Sequence, residues 1–397
     1  MTPALPLQES RLNQMMVWVC GTLLGLLSAD AVIGAYNAQI SPIKPSLFTV
    51  MAVAACLGLS VLNRPRFAPV VFLVLLLPIV RIFDAVILAR AEISFAGQAG
   101  MDLLRMLLVL VSILAVLATD QGLRAVRCAA VVALCLTTAS EIYEMLGFAK
   151  FTSIPGRYAG FNGHPNFPPV LLCEMLGICF ALIPSFRVNC LLIAISYVGV
   201  ALTYGRSGFL VLTLMSGVYL LLNARRNIGF LVICAAVTIP LAGVGIAVLQ
   251  SQTEKGITKD KNTADRLDAI LNLDFDKLKS PERAKDLSDA WEAVMEKPIF
   301  GHGTGVSGAR WAPHNEYVSL WLEMGIPGFL LFVGTLGALV LRSLMTGGRA
   351  GYLIFAILAF TPAGQGRIEM PHFCLALSTA AMILWPQRYR FILRSTP

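Results

Sequence analysis

The sequence predicts an all-α polytopic membrane protein of about twelve transmembrane helices, with one long polar loop of short helices on the side away from the cytoplasm. Three observations predict it. Only 14% of residues are charged against 57% hydrophobic, and mean hydropathy is +0.73. A soluble domain carries roughly a quarter charged residues, so this surface is one that lipid solvates and water does not. Apolar runs reaching the ~17–25 residues that a tilted helix needs to cross the hydrocarbon core recur along the whole chain. These runs are long and do not alternate, which excludes a β-barrel.

In chain order, the runs place spans at 13–35, 46–62, 68–89, 101–119, 124–146, 166–184, 188–204, 207–222, 227–249, 313–341, 350–366 and 370–386. The chain divides into 1–249 with nine spans, a polar loop over 250–311, and 312–397 with three spans and a tail. The N-terminal tail lacks a basic n-region and a small-residue cleavage site, so the first span is expected to be a retained helix. The gap at 204–207 makes spans seven and eight a near-contiguous hairpin. The run Gly325-Ile326-Pro327-Gly328 is able to divide span ten. In the loop, Ser280-Pro281 opens a helix with Ser as N-cap and Pro at the first position. That helix runs to about Glu296 and stops before Pro298, and a shorter one covers Ala264–Asn272. The loop is too small for a domain and reads as a lid over a cavity mouth.

Nine cysteines (Cys20, Cys56, Cys128, Cys135, Cys173, Cys179, Cys190, Cys234 and Cys374) fall in or beside apolar spans without metal or redox spacing, and read as packing residues. The four histidines lack the i, i+4 spacing of a zinc helix, and the acids are not clustered. Asp274-Phe275-Asp276 imitates a DxD metal motif but reads as two acids in a solvated loop. No metal and no cofactor are expected. The net charge of +8 is scattered singly between spans, which argues against nucleic acid.

Orientation follows from Lys and Arg in the short loops. With the N-terminus inside, the cytoplasmic turns carry Arg11, Arg64, Arg66, Arg124, Arg127, Arg187, Arg225, Arg226, Arg342 and Arg349, and the tail carries Arg388, Arg390 and Arg394. Both termini are then cytoplasmic. Against the rule, Arg81, Arg90, Arg105, Arg157, Arg206, Arg310 and Arg367 fall on the outer side. An arginine in or near a span is costly unless it snorkels, pairs or lines a polar cavity. Each has a local reading, such as Arg81 paired with Asp84 one turn away. Together they suggest an outward-open cavity that receives an anion, since the planar guanidinium makes paired bonds to phosphate.

Three outer-side motifs gather the remaining polar residues: GRYAGFNGHPN (156–166), TYGRSG (203–208), and GHGTG (301–305) running through Arg310 to PHNEY (313–317) and LEMGIPG (322–328). Together they resemble the O-antigen ligase and polymerase superfamily of bacterial inner-membrane glycosyltransferases. The stretch HNEYVSLWLEMGIPG carries most of the likeness, and GRYAGFNGHPN comes next. Arg283, ahead of KPIFGHG, matches a family arginine. The sequence departs from the pattern at Leu287, where tryptophan is common, and at GRSG, where Ser-Arg is usual.

What the resemblance implies is a GT-C-like membrane glycosyltransferase of the bacterial inner membrane with a periplasmic active site. It would move glycan from undecaprenyl diphosphate to an acceptor hydroxyl on lipid A–core, with inversion and without a metal. The diphosphate leaves as a stable anion, so arginines bind it and neutralise its growing charge. Donor capture falls to Arg157, Arg206 and Arg283, then Arg81, Arg105 and Arg310. His314 is the general base, since an unperturbed imidazole titrates near ~6.5. His164, Asn166, His302, Asn315, Glu316 and Glu323 are positioning residues, and His372 is structural. Three acceptors stay open: lipid A–core for a ligase, a second lipid-linked repeat for an O-antigen or exopolysaccharide polymerase, and a serine or threonine for a protein glycosyltransferase. A transporter or lipid flippase is the reading from another class, though no internal repeat supports it.

Overall fold

In a hydrocarbon environment every backbone N–H and C=O must be satisfied internally, so long apolar runs fold as helices. The computed structural model describes residues 11–63, 66–67, 70–87, 93–152, 154, 156–223, 227, 229, 281–364, 367–385 and 391–392. Its helices are α1 (Arg11–Ser28), α2 (Ala31–Asn37), α3 (Pro45–Leu62), α4 (Val70–Ile82), α5 (Ile93–Leu117), α6 (Gly122–Met145), α7 (Phe167–Leu182), α8 (Phe186–Thr203) and α9 (Arg206–Asn223). After the polar loop come α10 (Pro281–Glu296), the single turn α11 (Val306–Ala309), α12 (Glu316–Thr346), α13 (Ala350–Phe360) and α14 (Pro371–Leu384). A two-residue antiparallel pairing joins Arg66–Phe67 to Phe391–Ile392.

Five of these, α3, α6, α8, α9 and α12, are long and apolar enough to cross a membrane, and α1 with α2 makes a sixth. Shorter apolar helices cover Leu103–Leu117, Phe167–Leu182, Ala350–Ala363 and Pro371–Leu384. The chain is an all-α membrane protein. Span 227–249 lies outside the described residues except for 227 and 229. So do Ala264–Asn272, Asp274-Phe275-Asp276, Cys234 and Arg90.

Two spans depart from straight helices for local reasons. The first bends by 54° between α1 and α2, where Asp30 takes a left-handed conformation (φ 50°). In the third, Pro78 lacks an N–H for the ladder, and α4 runs into a π-helical turn at Phe83–Ile87. The hairpin at 204–207 is as tight as expected: α8 ends at Thr203, Tyr204 turns with φ 53°, and α9 begins at Arg206.

Helix α6 is central and packs on α1, α7 and α8, while α7 packs on α13 and α5 on α3, α4 and α14. Small residues let α1 approach α6 closely: a Cβ on Gly21 or Gly25 would meet the backbone of Ala125 or Ala129. Such contacts suit lipid, where close van der Waals packing drives helix association. Aromatic packing joins α7 to α9, where Phe180 stacks on Tyr219 at 4.0 Å.

Candidate functional site

The glycine-rich loop 301–305 is bound to a kink in α12. Gly325 leaves helical geometry (φ 65°, ψ −160°), and Pro327 follows it inside the helix. The kink frees two carbonyls: Leu322 O accepts from His302 N at 2.7 Å and Glu323 O from Gly303 N at 2.9 Å. Ile326 N in turn donates to Pro298 O at 3.1 Å, and Trp321 Nε1 donates to the same carbonyl at 2.9 Å. Only glycine fits at 301 and 325, because a Cβ on either would strike the other strand's backbone. The two motifs GHGTG and LEMGIPG are therefore one structure.

Helix α10 packs against the start of α12 through Ala290, Ala293 and Val294, which meet Val318 and Leu322. Helical spacing puts Arg283 and Asp286 on that stripe, seven and four residues before Ala290. They consequently face the loop that opens α12. There His314, itself in a left-handed conformation (φ 48°), stands with Nε2 4.0 Å from Asp286 Oδ2. Both side chains are part-exposed, at 38% and 42%. Asn315 caps α12, accepting from Tyr317 N at 3.0 Å and Val318 N at 3.3 Å.

Burial, and then the charge of Arg283, push His314 below the ordinary imidazole value, while Asp286 opposes them. Arg283 also acts electrostatically on Arg206, half-buried at the start of α9. Among the described residues no carboxylate pairs with Arg283. Arg283 therefore acts electrostatically on both Arg206 and His314, and helix α10 links the start of α9 to the loop that opens α12.

The segment 150–166 is organised by a carboxylate that sequence reasoning missed. Glu144 Oε1 accepts from Phe151 N and Thr152 N, both at 2.7 Å, and Oε2 accepts from Ala159 N at 2.9 Å and Gly160 N at 3.0 Å. Arg157 is buried to 4% exposure. Its Nε donates to Thr203 O at 2.8 Å and its Nη2 to Asn166 Oδ1 at 3.0 Å, tying this loop to the hairpin that presents Arg206. His164 is exposed and accepts from Asn166 N at 3.2 Å through Nδ1.

The remaining candidates sit elsewhere. Arg81 is buried between Glu323 at 2.6 Å and Glu369 at 2.8 Å, and it also feels the charge of buried Glu316. Glu323 additionally accepts from Ser307 Oγ at 2.6 Å. Asp84 does not take the local pairing with Arg81; it accepts from Thr304 N and Oγ1, both at 2.9 Å. Arg105 meets Asp30 at 3.4 Å beside a small cavity bordered by Pro45 and Phe48. Arg310 lies over the Trp311 ring at 4.6 Å. His302 Nε2 lies 2.7 Å from Ala293 O, fixing α10 to the strap. His372 pairs with Glu174 at 2.7 Å in the buried interior. Among the described residues no three His, Cys, Asp or Glu side chains stand close enough to hold a metal.

Asp286, Glu144, Glu369 and Glu174 were not singled out from the sequence. For Asp286 a signal existed, its three-residue spacing from Arg283; Glu174 and Glu369 have partners far away in the chain, and Glu144 takes nearby backbone N–H groups that no side chain advertises. Compared with known proteins, residues 191–333 match the family model described as O-Antigen ligase. That segment includes Arg206, Arg283, His314 and the paired glycine motifs, and the match bears out the resemblance to the O-antigen ligase and polymerase superfamily. No curated protein matches the chain.

Proposed function

From the O-antigen ligase domain at 191–333, we propose that this membrane protein transfers glycan from undecaprenyl diphosphate to lipid A–core at the periplasmic face of the bacterial inner membrane. The observation that carries the reading is His314 standing 4.0 Å from Asp286 on α10, with Arg283 of the same helix acting electrostatically on both His314 and Arg206. In this reading twelve spans cross the membrane, both termini are cytoplasmic, and the polar loop 250–311 roofs the site.

The acceptor hydroxyl oxygen attacks the anomeric carbon in line with the bond to the diphosphate. That bond breaks with its electron pair on the leaving oxygen, so configuration at carbon inverts. The proton passes from the hydroxyl to the His314 imidazole, and Asp286 stabilises the imidazolium that results. Arg206 and Arg283 bind the diphosphate and offset the charge it gains, the role that a divalent cation fills in other glycosyl transfers. General-base help of this kind contributes ~10²–10⁴-fold.

The other candidates divide by what they touch. Arg157, Asn166 and His164 hold the 150–166 loop against the hairpin and so position Arg206. His302 and Asn315 position α10 and His314. Arg81 and Glu323 anchor the loop 301–305, and Arg81 reads as structural before it reads as a donor contact. Arg310 lies at the rim on Trp311 and is left as a weaker donor contact, and Arg105 is held by Asp30.

The test incubates the purified chain, with chelator and no added metal, with undecaprenyl-diphosphate glycan and either lipid A–core or a second lipid-linked repeat. Glycan on lipid A–core, lost in His314→Ala, supports the ligase reading. Lengthening of the lipid-linked chain makes the protein a polymerase and leaves the site assignment standing. No transfer to either acceptor overturns both.

A further inference from the structure

Helix α10 carries three faces. One packs on α12 through Ala290, Ala293 and Val294. A second holds Glu282, Lys285, Asp289, Glu292 and Glu296, all exposed to solvent. Between them runs a third, apolar and exposed: Leu287, Trp291 and Met295 at i, i+4 and i+8, extended past the helix end by Ile299 and Phe300. Exposure rises along it from 37% at Leu287 to 66% at Phe300.

A polar loop standing free in water has no physical reason to present such a strip. The strip adjoins the exposed face of a helix long and apolar enough to cross the membrane. Ile326 N bonds to Pro298 O and Ile299 O, so Ile299 and Phe300 adjoin the kink of α12. Below the kink, exposed Ile326 and Leu330 belong to a 31-residue helix long and apolar enough to span the membrane. Trp291 packs edge-on against Trp321 at 5.5 Å, and Trp321 stacks on Phe329 at 4.8 Å. A tryptophan cluster at the end of a spanning helix is what the membrane–water interface selects. The charged face lies opposite, as an interfacial helix requires.

We propose that α10 is an interfacial helix whose Leu287–Trp291–Met295 face is immersed in the acyl-chain boundary of the outer leaflet. The helix is then a float as well as a lid. It fixes Arg283, one turn before Leu287 on the adjoining face, at headgroup depth, where the phosphates of any lipid-borne anion lie. The inference needs the membrane placement of this end of the bundle but not the transfer reaction.

Nitroxide labels at Leu287→Cys, Trp291→Cys and Met295→Cys, and at Lys285→Cys, Asp289→Cys and Glu292→Cys, test it in the full chain reconstituted in lipid nanodiscs. The signal of the labelled parent chain is subtracted. The first three sites are expected to relax with oxygen and to be shielded from a water-soluble nickel complex, and the second three to show the reverse. Equal nickel access at all six sites overturns the proposal. So does shielding of the first three from both reagents, which means that protein covers the face. In unlabelled chain, quenching of Trp291 by lipids brominated near the headgroup end of the acyl chain, read as the difference from Trp291→Phe, is the independent check. Quenching by aqueous iodide alone counts against immersion.

Discussion

Burial and Arg283 both oppose a proton on His314, and Asp286 favours one. With the neutral ring as the proposed base, activity is expected above its pKa and lost as pH falls through it. The acidic limb of kcat/KM is expected below pH ~6.5, under the free imidazole value. Arg283→Gln removes one opposing effect and moves the limb to higher pH, whereas Asp286→Asn moves it lower. A limb that stays in place in both variants removes His314 as the base. At Arg206 the geometry of the fork matters as well as its charge, so Arg206→Lys is expected to leave donor KM raised by about the same factor as Arg206→Ala. Restoration of KM by lysine counts against paired phosphate contacts. Arg206 stood out in the sequence because it is set among glycines and His314 because it opens the HNEY stretch, whereas Arg283 was matched only through the family resemblance. Asp286 was not, because an acid on a solvated helix gains its meaning only when Ala290 and Ala293 turn that stripe toward α12.

Among the elements, the kink in α12 and the strap 301–305 depend on each other. A Cβ at Gly325 both disfavours its left-handed backbone, by ~1–2 kcal/mol, and meets the backbone of Ile299. Gly325→Ala is therefore expected to lower the melting temperature of the purified protein and its transfer rate together. Gly334→Ala, on the same helix in open space, is expected to leave both unchanged or to raise the melting temperature. A second element rests on one carboxylate, since Glu144 takes four backbone N–H groups. Glu144→Ala leaves donors of that loop unsatisfied, and amide exchange at Phe151, Thr152, Ala159 and Gly160 is expected to quicken by at least tenfold. Unchanged protection means that the loop is held otherwise. The run Gly-Ile-Pro-Gly announced the kink, and Pro281 announced the first position of α10, because both act through local backbone chemistry. The bend after α1 gave no such sign: Asp30 takes its left-handed turn beside Arg105, 75 residues away in the chain.

Across the whole molecule, Arg81 decides how the outward arginines are to be understood. Read as a set, they suggest a cavity lined with positive charge. Acids from distant segments claim part of that charge: buried Glu323, 242 residues away, and part-exposed Glu369 both close on Arg81, joining α4 to α12 and to the turn before α14. Local spacing suggested Asp84, and no inspection of neighbouring residues reveals a partner so far along the chain. Removing one member of a buried pair leaves an uncompensated charge, at about 3–5 kcal/mol, while replacing both with apolar groups is often neutral. Arg81→Met is accordingly expected to destabilise the protein strongly, and Arg81→Met with Glu323→Leu to recover much of the loss, measured by chemical denaturation in detergent. If Arg81 served the donor diphosphate directly, the stable double variant would still lack transfer. If Arg81 instead anchors the loop 301–305, the double variant is expected to retain most of the parent rate, which would favour Arg206 and Arg283 as the donor-binding pair.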